Sequence, residues 1–462
     1  MKLISARGGA TAGTWSFRQA LLLGQAPDGG LFVPNSLSPI PTAQHPQLLD
    51  ATFPERAFVT ARHFLGDEMD HCLLRSVVQD ALDFPVPLCE IEPGIHMLEL
   101  FHGPTHAFKD IGARFMARTM AALRDEATPP LTILTATSGD TGGAVAQAFH
   151  GLPGVRVVVL YPLGKVSPRQ EAQFATLGGN VTAVAVRGAF DDCQSLARQA
   201  FVDRALTTRL SLTSANSINI GRLLPQTFYY VHAWAELARL WTGSELADLG
   251  TGSALAVSVP SGNLGNLTAG LMALQALDMP RTRFVAATNA NGIVPEYLAG
   301  QGYHPRPSVA TISSAMDVGD PSNFRRIAHM FAASRDSRTS APPGLLRVLS
   351  GSSWTDRQTR ACIRGLWERR RIAIDPHTAV GLLGLRHELR ERPGAHGVVL
   401  ATAHPAKFAE TVEPLIGETV PIPPDIARLM NRPRHSIPIP PDLEALRQVL
   451  IDAATAHSPA TT

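Results

Sequence analysis

Lysine is nearly missing from this 462-residue chain: of 41 basic residues only Lys2, Lys109, Lys165 and Lys407 are lysines, the rest being arginines. A guanidinium stays protonated and forms no imine, so chemistry that needs a reactive amine has few places to sit. Cysteine is scarce as well. Cys72, Cys89, Cys193 and Cys362 lie far apart with no C-x-x-C pair, which argues against a disulfide framework and a thiolate zinc site. No apolar run reaches the length of a membrane span, and Met1-Lys2-Leu3-Ile4-Ser5 lacks the core of a secretory signal, so a cytoplasmic protein is expected. A net charge of +2 with 17% charged residues gives no field suited to nucleic acid or an anionic membrane. The run Arg369-Arg370-Arg371 reads as a solvated helix face.

Signature motifs are absent too. Neither H-E-x-x-H nor G-x-S-x-G occurs, and Gly164-Lys165-Val166 has neither the upstream glycine nor the hydroxyl residue of a P-loop. His102 and His106 have the spacing of metal ligands on a helix, but Gly103-Pro104 between them rules out a helix there; no metal is expected. No internal repeat is found.

What is present is a chain long enough for two or three domains, 45% hydrophobic. Residues 1–95 alternate short apolar segments with turns such as Ala26-Pro27-Asp28-Gly29-Gly30, with helical spacing at Pro54 to Phe64 and His71 to Leu82, and form an N-terminal subdomain. From 96 to 420 the pattern becomes strand, glycine loop, helix. Strands are expected at Leu131 to Thr137, Val155 to Tyr161, Val181 to Val186, Leu210 to Ser214, Ala254 to Val259, Arg283 to Thr288 and Gly397 to Ala401, with an amphipathic stretch from Ile218 to Leu240. Such alternation predicts an α/β protein with a mainly parallel sheet and ligands beyond the carboxyl ends of its strands. Residues 421–462 are proline-rich, and an extended linker, a short helix from Leu443 to Ala454 and a loose end from His457 are expected.

Lys109 follows an apolar run and the Gly103-Pro104 turn, with Thr105 and His106 available to cap a helix that runs from Phe108 through Met120. In the first turn, beside Phe108 and Ile111, desolvation and the positive helix end both lower an amine's pKa. Ser261-Gly262-Asn263-Leu264-Gly265-Asn266 lies between a strand and a helix, where backbone N–H groups suit a phosphate. A plain strand-to-helix turn is the bland alternative. Ser138-Gly139-Asp140-Thr141-Gly142 holds the equivalent place in an earlier unit; it suits a carboxylate, or is simply a helix start capped by Ser138 or Asp140. An imine-capable lysine, a phosphate loop and a carboxylate loop together describe a pyridoxal phosphate site for an amino-acid substrate. Thr402, ending a late strand, is a candidate partner for the ring nitrogen; a neutral hydroxyl there marks the tryptophan-synthase-β-like arrangement, fold type II.

Those residues lie in longer motifs: Ala26 to Pro34, His102-Gly103-Pro104-Thr105-His106-Ala107-Phe108-Lys109-Asp110, Ala136 to Gly143, Asn216 to Arg222, Val259 to Asn266, Ser314 to Phe324 and Thr402 to Phe408. In this order the chain resembles the threonine synthase family from near its start to about residue 412. The resemblance implies fold type II, with mainly parallel sheets in a large and a smaller domain and an N-terminal subdomain. It also implies conversion of O-phospho-L-homoserine and water to L-threonine and phosphate, with no obligatory protein partner. It makes Lys109 the lysine that holds pyridoxal phosphate and shuttles protons, and Gly262, Asn263, Leu264 and Gly265 the phosphate cup. Thr402 becomes the partner of the ring nitrogen, and Asp140 stands where related enzymes set an asparagine against the 3′-oxygen. Ser138 and Thr141 receive the substrate carboxylate; Asn216, Ser217 and Arg222 receive its phosphate, and Asn266, a cofactor-binding residue beside the cup, is available to that phosphate as well. Lys407 is read as structural. Leu264 in place of the usual phenylalanine, and Arg325 where an acidic residue commonly follows Phe324, are the departures. A phospho-lyase releasing a 2-keto acid and a non-catalytic metabolite-binding protein are the alternatives, and closure of the smaller domain over the larger is expected, to exclude water.

Overall fold

The computed structural model describes residues 1–8, 13–124, 130–240, 254–279, 281–331 and 339–455. A short antiparallel pair, β1 (Leu3–Ser5) and β2 (Phe32–Pro34), opens the chain. The helices α1 (Phe53–Leu65) and α2 (His71–Ala81) follow, close to their expected bounds. Then come the hairpin strands β3 (Leu88–Glu92) and β4 (Ile95–Glu99) and the helix α3 (Lys109–Leu123). The next unit is β5 (Leu131–Ala136), α4 (Asp140–Phe149), β6 (Val155–Pro162), α5 (Pro168–Ala175), β7 (Val181–Val186) and β8 (Leu212–Ser214). After α6 (Thr227–Leu240) the chain runs β9 (Leu255–Pro260), α7 (Gly265–Leu277), β10 (Thr282–Thr288), β11 (Leu349–Ser353), α8 (Pro376–Glu391) and β12 (His396–Ala401). It ends with β13 (Ile437–Ile439) and α9 (Leu443–Thr455).

Two sheets carry the molecule. One runs β11-β10-β9-β12-β4-β3 and is parallel except for the β3–β4 hairpin; the other runs β13-β7-β6-β5-β8 and is parallel throughout. Their central strands are mostly apolar because helices cover both faces; β5, β6 and β9 are buried at every position, with Thr132, Thr135, Arg156 and Ser258 the polar exceptions. The late strand β12 lies in the middle of the six-stranded sheet, between β9 and β4.

Three expectations are corrected. The stretch from Ile218 to Leu240 is not amphipathic: after the 3-10 turn Leu224-Pro225-Gln226, α6 is buried on nearly all sides. Leu210 ends the helix Arg204–Leu210, and Ser211, at φ 47°, turns the chain, so β8 starts only at Leu212. The proline-rich segment is not a linker. It forms a helix at Pro424–Met430, then adds β13 to the edge of β7, while Leu446 and Leu450 bury against Leu196 and Val158. An edge strand tolerates Pro438, whose missing N–H a central strand could not spare. The expected loose end from His457 lies outside the described residues. Among the described residues no helix is long and apolar enough to cross a membrane.

Two fully buried arginines fasten the N-terminal segment to the body. Arg56 donates to Leu48 O (2.6 Å), Leu49 O (2.7 Å), Glu236 Oε1 (2.5 Å) and His232 Nδ1 (2.8 Å). His232 is therefore the tautomer whose Nε2 donates to Val86 O, and burial followed by the Arg56 charge pulls its pKa down to about 4. Arg326 donates to the carbonyls of Phe32, Ser217 and Ile218 and to Asn323 Oδ1. It thus ties β2 to the loop after β8.

If the C-terminal segment is part of the sheet, Leu450→Ala opens a core cavity costing about 2–5 kcal/mol. Deletion from Ile437 onward would expose the β7 edge. Both changes are expected to lower the thermal midpoint, and the deletion also to raise light scattering; an unchanged midpoint would mean that the segment is a dispensable linker.

Candidate active site

Strands of both sheets end at one cleft, of about 930 Å³ empty volume. The chain leaves β4 toward Lys109, β5 toward Ser138 and Asp140, β8 toward Asn216, β9 toward Ser261, and β12 directly into Thr402. Parallel strands put all these exits at carboxyl ends, so loops remote in sequence converge. The cleft is lined by Lys109, Ser138, Asp140, Thr141, Asn216, Ser217, Arg222, Gly262, Asn263, Leu264, Gly265, Asn266 and Thr402, every site residue expected from sequence.

The loop before Lys109 is built around the buried Asp110. Thr105 donates to its carboxylate from the backbone N–H (2.9 Å) and from the hydroxyl (2.6 Å), and His106 takes a left-handed φ of 55° to allow it. A Cβ on Gly103 would stand 2.6 Å from Asp110 Oδ2, so only glycine lets the loop close. Thr105 therefore binds a side chain and does not cap backbone N–H groups, and α3 starts at Lys109. Lys109 Nζ lies 3.9 Å from Asp140 Oδ2. Burial lowers its pKa to about 8; Asp140 opposes this, while Lys407 and Arg222 add to it. Burial alone would raise the Asp140 carboxyl, but Lys407, Lys109 and the Gln170 amide hold it far below the usual carboxylate range.

The start of α4 corrects the capping expectation. Neither Ser138 nor Asp140 caps it; Thr137 Oγ1 accepts from Gly139 N (2.9 Å) and Gly142 N (2.8 Å). Ser138 and Thr141 keep their place on the cleft wall.

At the other end Leu264, at φ 60°, turns the chain into α7, whose first N–H groups have no partner within the helix. A Cβ on Gly262 would meet Ala315 O at 2.8 Å, and one on Gly265 would meet Ser217 Cβ at 3.0 Å, so both walls press against the loop. Asn263 O accepts from Asn323 Nδ2 (2.9 Å). Asn266 Oδ1 accepts from the hydroxyls of Tyr229 (2.5 Å) and Tyr230 (2.6 Å), which fixes its amide, and its buried Nδ2 has no partner among the described residues. Arg222 Nη1 donates to Ala215 O (2.7 Å), and its buried Nε is likewise unspent among the described residues. Ser217 Oγ accepts from Asn323 Nδ2 (3.2 Å) and keeps its own proton to give. Asn216 has spent most of its amide on Thr135 and Ala136 and has one N–H left.

A helix N-terminus with unspent donors, a desolvated amine and a neutral buried hydroxyl at Thr402 fit a phosphorylated aldehyde that binds an amino acid. The comparisons agree. The family described as pyridoxal-phosphate dependent enzyme matches residues 93–403, flanked by matches to the threonine synthase N terminus over 2–82 and the threonine synthase C-terminal region over 378–450. A threonine synthase from Escherichia coli is 44% identical over 95% of this chain and 96% of its own. The crystal structure of threonine synthase from Escherichia coli superposes with a TM-score of 0.87 at 43% identity, covering 98% of this chain and 100% of that one. The PLP-bound threonine synthase from Brucella melitensis does so with a TM-score of 0.86 at 32% identity, over 98% and 99%. The chain belongs to the threonine synthase family. Its fold is accordingly fold type II, and pyridoxal phosphate is its cofactor.

Within this threonine synthase framework several residues escaped the sequence reading. His377 lines the cleft with its Nδ1 2.6 Å from Asp375 Oδ2, leaving Nε2 to accept from Ala315 N (3.2 Å). It thereby props the turn that presses on Gly262. Asn323 and Arg326 hold the cup and the Ser217 loop together. Asp375-Pro376-His377 is legible as a helix cap, but nothing local says that the cap faces a cofactor. Gly262→Ala sets a methyl against backbone on the opposite wall, so the cup must open. Affinity for pyridoxal phosphate is expected to fall about tenfold or more, as for an overpacking of 1–3 kcal/mol. Titration of the cofactor-free chain by absorbance measures this; unchanged affinity would separate the loop from the cofactor phosphate.

Proposed function

We propose that this chain converts O-phospho-L-homoserine and water to L-threonine and phosphate. The observation that carries the reading is the presence of two separate anion-suited ends in one cleft, the cup at α7 and the Arg222 corner, with the Lys109 amine lining the same cleft. Gly262, Asn263, Leu264 and Gly265 would hold the phosphate of pyridoxal phosphate, Thr402 its ring nitrogen and Lys109 its aldehyde carbon. The chemistry the group supplies when bound is acidification of the substrate Cα–H and storage of the electrons released.

The chain's own residues do the rest. Ser138 and Thr141 orient the substrate carboxylate. Arg222 gives the substrate phosphate a permanent charge, because its pKa, lowered by burial to about 10 against the pull of Asp110 and Tyr229, stays well above neutrality. Ser217 and Asn266 add hydrogen bonds to the same phosphate. Lys109 Nζ takes protons from Cα and then Cβ, phosphate leaves from Cγ, and protons return to Cγ and Cα while water adds at Cβ. An amine titrating near 8 can serve both as acceptor and donor at neutral pH. Phosphate retained at Arg222 is placed to assist the water step.

Purified protein given O-phospho-L-homoserine is expected to release phosphate and form threonine in equal amounts, and Lys109→Ala to lose both together with the absorbance band of the bound cofactor. Phosphate accompanied by 2-oxobutanoate in place of threonine would assign a lyase. Arg222→Gln, which keeps a donor but not the charge, is expected to reduce kcat/KM by 10²-fold or more, in line with about 3 kcal/mol for a buried charged partner.

A further inference from the structure

Lys407 sits in the 3-10 turn after β12 and is fully buried. Its Nζ donates to Asp140 Oδ1 (2.7 Å) and to Thr105 O (2.7 Å), the latter 302 residues away in the chain. The same acceptors are shared with two glutamines: Gln170 Nε2 donates to Asp140 Oδ1 (2.8 Å) and Gln173 Nε2 to Thr105 O (2.9 Å). The other oxygen of Asp140 faces Lys109. One buried carboxylate therefore stands between two lysines, bonded to one and open to the other.

The asymmetry has a chemical consequence. Lys109 must give up its proton, and with it its charge, before its amine can attack a carbonyl or act as a base. A buried carboxylate left with no cation is strongly disfavoured, so Asp140 needs a partner whose charge is not consumed. Lys407 is that partner: two of its three N–H groups are engaged by a carboxylate and a carbonyl, and it is fully buried and not among the residues that line the cleft. The Thr105 carbonyl that anchors it belongs to the loop that bends around Asp110 and delivers Lys109. We propose that Lys407 is a positioning residue for the reacting amine: it fixes Asp140 as a permanent anion and, by its own charge, favours the neutral form of Lys109. This deepens the reading of Lys109 as the cofactor lysine and rests on it.

Every charged group around the pair enters the expectation. Lys109 faces Asp140 from α4, Lys407 from the turn after β12 and Arg222 from the short helix Ile220–Leu223. Lys407 acts on Asp140 and Asp110 and on His106 and His404. Both histidines are shifted downward, first by burial, and so are neutral at the pH of interest. Removing the Lys407 charge takes away a repulsion from Lys109 and leaves Asp140 to attract it alone. With the attraction of Asp140 unchanged, loss of that repulsion raises the pH at which Lys109 loses its proton.

The test is made on the full-length chain freed of cofactor, wild type beside Lys407→Met and Lys407→Gln. Pyridoxal phosphate is added across a pH series, the adduct is trapped with borohydride, and modification of Lys109 is quantified by peptide mass spectrometry. The wild-type rate should climb with pH through a midpoint near 8. In both variants the midpoint is expected to move up by about one unit, making trapping at pH 7 about tenfold slower. Lys407→Gln can keep bonds to Asp140 and Thr105 without the charge, and it carries the test if Lys407→Met does not fold. A midpoint unchanged in a folded variant overturns the proposal and leaves the cofactor reading standing. Absence of trapping at Lys109 in the wild type overturns both.

Discussion

The site depends on keeping one carboxylate ionised where water does not reach. Asp140 is almost completely buried, and an isolated carboxylate there would take up a proton to escape the cost of its charge. It stays an anion because Lys407 and Gln170 bond to one oxygen and Lys109 stands beside the other. The ion pair is also a structural joint. Asp140 opens the helix after β5 in the five-stranded sheet, whereas Lys407 follows β12 in the six-stranded sheet. Removing Lys407 would leave Asp140 with Lys109 and Gln170 alone, and removing Asp140 would strip Lys407 of its bonded carboxylate in the interior, a larger penalty than the net worth of the pair.

That joint explains why loops from two sheets can share a cleft with fixed geometry. Parallel strands bring carboxyl ends together, but they do not set distances between loops to a few tenths of an ångström. Buried polar clamps do so. Arg326 binds three carbonyls in two segments, Asn323 bridges the cup and Ser217, and His377 props the turn opposite Gly262. None of these needs to touch substrate. Each has its hydrogen bonds satisfied, and a satisfied buried network is rigid.

The reactive centre was legible in the sequence because its signals are local. Lys109 stands out by the rarity of lysine, the cup by its place between a strand and a helix, and Arg222 by the motif around it. All of these line one cleft. The clamps were not legible because their partners are distant: nothing near Lys407 points to Asp140 or Thr105, and nothing near Arg326 points to Phe32. Thr137 hid as a cap because the eye goes to the serine and aspartate that follow it, although its hydroxyl is the acceptor that closes the turn. The strand at Ile437–Ile439 was hidden by its own prolines, which read as a linker until an edge is found for them.

The scarcity of lysine acquires a physical meaning at this site. A carbonyl entering the cleft meets Lys109, Arg222 and, behind Asp140, Lys407. A lysine at 222 would offer a second amine to the same carbonyl, close to the anion it is meant to hold. Arginine there supplies charge without nucleophilicity, since its guanidinium stays protonated even when burial weakens it. Lys407 avoids competition differently: it is enclosed, and two of its three donors are spent on Asp140 and Thr105. Of Lys109, Arg222 and Lys407, only Lys109 combines access to the cleft with an amine that loses its proton near neutral pH. Selectivity for a single reacting nitrogen therefore follows from residue type at one position and from hydrogen bonding at another.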